Sequence, residues 1–226
     1  MGDTLQYILI FAGIIAGALS ILLSHQMMKR YTLNYLSSYF YYLLFIYIFG
    51  VYSLVGSGAA RYYLSIFEGS EQGMLSIDLF LTILGLPFLI LCCYMLIRTA
   101  FELSSANPSN LFTVLYFILT FLLMAGYAYI SIRISRFQPE LYDALRFWRR
   151  IVFSIVFFGA HLAGFAIIMD GKKSRLDIHE RKAMNVFALL ILLYPVICLS
   201  LLFASDHVSL LTYIFIFLFL SEHMVL

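Results

Sequence analysis

The stretch SIDLFLTILGLPFLILCCYMLI, residues 76–97, decides the fold. Its one formal charge, Asp78, lies near its start, and the rest is almost continuously apolar. Crossing the hydrocarbon core of a bilayer takes ~20 mostly apolar residues in a helix. Inside lipid every backbone N–H and C=O must be paired within the segment, so such a run is expected to be helical. A barrel strand would alternate apolar and polar residues, and this stretch does not.

Six further segments share this character: 5–28, 34–56, 111–132, 151–169, 186–203 and 210–226. Across all seven, the only formal charges are Asp78 and Glu222. Of the 226 residues 63% are hydrophobic and 12% charged. That charged share is about half the usual one in soluble domains and too small to cover a soluble globule. Disordered and collagen-like chains are excluded by the same composition. The expected fold is an all-α integral membrane protein, a single domain over residues 1–226 built as a bundle of seven transmembrane helices.

Orientation follows from lysine and arginine placement. With the N-terminus outside, eight positive residues fall on the inner side: Lys29, Arg30, Arg98, Lys172, Lys173, Arg175, Arg181 and Lys182. Six fall outside: Arg61, Arg133, Arg136, Arg146, Arg149 and Arg150. Asp3 precedes the first helix and Lys29-Arg30 follow it, which tips the balance to N-terminus outside and C-terminus inside. No positive residue precedes Lys29, so the first segment reads as a retained helix rather than a signal peptide. The arginine-rich stretch 133–150 reads as a short interfacial helix after Pro139, anchored by Trp148, or as an ordinary connecting turn.

Small residues mark close helix approach. Gly13, Ala16, Gly17, Ser20 and Ser24 line the first helix, and Gly159/Ala163 and Ala160/Gly164 recur in the fifth. Such faces serve internal packing, with oligomerisation the alternative. Pro87 and Pro195 are expected to kink the third and sixth helices. Cys92, Cys93 and Cys198 sit in apolar runs and read as packing residues.

Few groups carry chemistry. His161 lies near the middle of the fifth helix, and an ionisable group at that depth is expected to face the bundle, either as a functional group or as a satisfied structural one. In the second helix, Tyr39, Tyr41 and Tyr42 are deep enough that their hydroxyls need partners, as a pocket wall or as core. Asp78 suits a capping role at a helix N-terminus. With Asp206 and His207 it would face the exterior, where the three could meet as an outer ligand-binding site for a cation or proton with Arg61, Glu68 or Glu71, although polar residues are common in loops. Asp206-His207 and Glu222-His223 are ~24 Å apart along the last helix and cannot share a metal. No cofactor or metal is expected, and no nucleophile–base pair points to an enzyme. All four lysines fall in connections, so no retinal Schiff base is available. The net charge of +2 gives no basic face for nucleic acid.

Two stretches, FIYIFGVYSLVGSG at 45–58 and LGLPFLILCCYMLIRTAFEL at 84–103, resemble the seven-helix membrane input region of bacterial LuxR-type helix-turn-helix regulators. The resemblance implies a bacterial cytoplasmic (inner) membrane location and a sensory role. Such regulators carry a DNA-binding domain after the seventh helix, and this chain ends at Leu226 without one, so DNA binding is not carried over. The expected function is a membrane-embedded signal-input module, lying in the lipid bilayer and read by a cytoplasmic signalling partner at Lys172, Lys173, Arg175, Arg181 and Lys182. The alternative is a small-molecule or ion transporter with a midplane site near His161.

Overall fold

A computed structural model describes residues 2–31, 35–49, 71–171 and, apart from 183, 190 and 194, 181–195. Among these residues all regular structure is helical. The helices are α1 (Gly2–Arg30), α2 (Tyr35–Phe49), α3 (Glu71–Leu103), α4 (Asn110–Phe137), α5 (Tyr142–Gly171) and α6 (Met184–Leu193). Three are long and apolar enough to cross a membrane, over Ile83–Leu103, Asn110–Ile134 and Ser154–Gly171. The last expected segment, 210–226, lies outside the described residues.

Local chemistry sets the joints. α3 runs as one helix through Pro87 and ends in a two-bond cap. There the Ala106 N–H donates to the Phe101 carbonyl at 2.8 Å and the Ser105 N–H to Glu102 at 3.0 Å. This cap needs a left-handed residue, a place usually held by glycine. Here it is Ser105, with φ 56°. Ser109 then caps α4, its side-chain oxygen accepting from the Phe112 N–H at 3.1 Å.

The 133–150 stretch is not a separate interfacial helix. It comprises the last turn of α4, a 3₁₀ turn over Pro139–Leu141 and the first turns of α5. Pro139 cannot continue a helix that needs its N–H, so α4 stops and the chain turns back.

α3 is the axis of the packing. α4 lies antiparallel to it, since the Tyr94 hydroxyl meets Thr113 Oγ1 at 3.2 Å and Tyr116 donates to the Ile90 carbonyl at 2.8 Å. α5 lies parallel to it, with Gly164 against Leu96 and Ala100, and Gly171 against Ser104. The Ser104 hydroxyl also donates to the Ile167 carbonyl at 3.2 Å. Tyr42, Leu43 and Ile46 of α2 and Met184, Phe187, Ala188 and Ile191 of α6 join Cys92, Leu96, Ala100 and Ile168 in one buried cluster. Helices in lipid gain little from apolar burial against each other, so close packing and hydrogen bonds hold this cluster together. Small residues act here: Gly17, Ser20 and Ser24 are buried on α1, as are Ala160 and Gly164 on α5, whereas Gly159 faces open space.

Candidate functional site

A buried polar pair joins this cluster through Tyr42. His161 on α5 is 1% exposed and Tyr42 on α2 is 3% exposed. The Tyr42 hydroxyl lies 3.3 Å from His161 Nε2. The other ring nitrogen, Nδ1, lies 2.8 Å from the Phe157 carbonyl, one turn earlier on α5. A carbonyl oxygen only accepts, so Nδ1 carries a proton; in the neutral ring Nε2 then accepts from Tyr42. Both ring nitrogens are thereby engaged.

Aromatic rings enclose the pair. The Phe157 ring lies 4.2 Å from that of His161, centroid to centroid. Tyr39 stacks on Tyr42 at 6.0 Å and meets Phe187 of α6 edge-on at 5.6 Å. Tyr41, one residue from Tyr42, is 42% exposed and turns away from the cluster. A helix rotates ~100° per residue, which separates these two neighbours. The arrangement can register the relative position of α2 and α5, because a small shift between them breaks the hydrogen bond that joins two buried side chains.

Of the other residues picked out from sequence, Asp78 lies two turns inside α3, which starts at Glu71, so it does not cap that helix; its side chain is outside the described set. Lys172, Lys173, Arg175, Asp206 and His207 also lie outside the described residues. Arg181 is half-buried and Lys182 exposed, both in a helical turn just before α6. Among the described residues, no group of three or more His, Cys, Asp or Glu is placed to hold a metal ion. Sequence reading missed two features. One is the Phe157 carbonyl, which the i−4 spacing to His161 signals. The other is the ion pair between Arg98 Nε and Glu102 Oε1 at 2.8 Å, again one turn apart.

Fold and site together define an all-helical, membrane-associated protein with a hydrogen-bonded Tyr–His contact in its core. No family model, curated protein or solved structure matches the chain.

Proposed function

We propose that the chain is a membrane-embedded signal-input module of seven transmembrane helices, N-terminus outside, in a bacterial cytoplasmic membrane. Its state is read by a cytoplasmic partner at the basic stretch holding Lys172, Lys173, Arg175, Arg181 and Lys182. The observation that supports this reading is the closed Tyr42–His161 contact. A transporter using His161 as a midplane site would have to open that ring to water from each side in turn. Instead the ring is buried, both nitrogens are engaged, and the contact ties two helices together. Packed interfaces of this kind switch between discrete arrangements, and a ligand or partner that favours one arrangement shifts the population. The resemblance of 45–58 and 84–103 to LuxR-type input regions points the same way.

The test is co-purification from native membranes in mild detergent, comparing wild type with a charge-reversed Arg175, Arg181 and Lys182 variant. A cytoplasmic protein retained by the wild type and lost from the variant is expected. Absence of a specific partner from both, together with solute flux through proteoliposomes of the pure protein, would replace this reading with the transporter.

A further inference from the structure

The tip of the α4–α5 hairpin has a surface that the input-module reading does not use. On α4, Leu115, Leu122 and Tyr129 recur every seven residues, all exposed, and the stripe ends on exposed Arg136. On α5, Leu162, Ile155 and Trp148 recur at the same interval, again all exposed. Each stripe passes from aliphatic to aromatic residues towards the same end of the hairpin. At ~1.5 Å rise per residue, Tyr129 and Arg136 are about 10 Å apart along the axis, enough to pass from the acyl region into the headgroups.

The tip is both apolar and cationic. Phe137 is 71% exposed and Trp148 61%, with Phe147 and Leu141 also exposed. Among them stand exposed Arg133 and Arg136. The Arg133 guanidinium lies 6.0 Å from the Tyr129 ring centroid, with Nη1 3.5 Å from its hydroxyl. In sequence, the 133–150 stretch has five arginines against Glu140 and Asp143. A water-facing turn has no use for so many exposed rings, and a purely lipid-facing one would not tolerate the arginines. The boundary between headgroups and acyl chains accommodates both.

We infer that this tip binds anionic phospholipid headgroups. Arg133 and Arg136 donate to lipid phosphates, while Phe137, Phe147 and Trp148 sit at the headgroup–acyl boundary. Two arguments select this occupant: the excess positive charge of the tip, and its continuity with the apolar stripes of two helices suited to span the membrane.

Trp148 is the one tryptophan in the chain, so its fluorescence reports on this tip alone. The purified protein would be placed in phosphatidylcholine bilayers containing equal mole fractions of chain-brominated phosphatidylglycerol or chain-brominated phosphatidylcholine. Stronger quenching by the brominated phosphatidylglycerol is expected, with an enrichment of about fivefold per arginine at low salt. Added salt should reduce the difference, and so should an R133Q/R136Q variant with unchanged helical circular dichroism. Equal quenching by the two lipids would overturn the anionic preference. A preference undiminished in R133Q/R136Q would overturn the assignment to these arginines. Quenching by aqueous acrylamide, with none from either brominated lipid, would mean that the tip faces water or a protein, and would overturn the proposal altogether.

Discussion

Gly171, the last residue of α5, meets Ser104 so closely that a Cβ on the glycine would overlap the serine side chain and crowd its Cα. This contact is far tighter than the one at Gly164, and the backbone would have to move to relieve it. Gly171→Ala should therefore destabilise the protein by about 1–3 kcal/mol, as overpacking does elsewhere. Gly164, whose Cβ would meet Ala100, Leu96 and Ile191 at 3.7–3.9 Å, should accept alanine with little change. Gly126 and Gly159 face open space, and alanine there should stabilise by up to about 1 kcal/mol through helix propensity. Thermal unfolding of the four variants in one detergent checks the order.

Ser105 holds a left-handed backbone conformation at the end of α3. A side chain there costs roughly 1–2 kcal/mol relative to glycine. Ser105→Gly should raise the midpoint of thermal unfolding, and a lower midpoint would show that other contacts of the serine outweigh its backbone cost.

The apolar runs at 76–97, 111–132 and 151–169 correspond to α3, α4 and α5, because hydropathy marks directly where a helix can meet lipid. Their true ends were not legible that way. α3 continues to Leu103 through Arg98 and Glu102, and α5 begins at Tyr142, ahead of its apolar run. Arginine and glutamate are good helix formers, so the backbone stays helical after the hydrophobicity has ended. The breaks come with the chemistry of the Ser105 and Pro139 turns. The inward position of His161 followed from the cost of an unpaired polar ring in lipid. Its partner did not, because Tyr42 is 119 residues away and three tyrosines of α2 were equal candidates from composition alone.

Cys92 and Cys93 are buried between helices. With Cys198 replaced by serine, neither should react with maleimide until the protein is denatured. Prompt labelling of the folded protein would contradict the packing of α3. In a background lacking all three cysteines, a cysteine at Ser174 should be inaccessible to impermeant thiol reagents in intact cells. Ready labelling there would reverse the proposed orientation.

The contact between Tyr42 and His161 should behave as a unit. Tyr42→Phe keeps the ring but removes the hydroxyl donor, and His161→Leu removes the acceptor. Hydrogen bonds between membrane helices average about 0.6 kcal/mol and reach about 1.7 kcal/mol. Each single change should cost an amount in that range or somewhat above it, and the double variant should cost less than the sum of the two. Strict additivity in reversible unfolding would mean that the two residues do not interact.

The most direct measurement is solid-state nitrogen NMR of the protein in bilayers with labelled histidine, the His161 signals being assigned by their loss in His161→Gln. A core contact that registers the position of α2 against α5 predicts a proton on Nδ1 and an Nε2 resonance typical of an acceptor. That resonance should shift in Tyr42→Phe and show no magnetisation transfer from water. An Nε2 in contact with water and indifferent to Tyr42→Phe would contradict the account and open His161 to the role of a transport site.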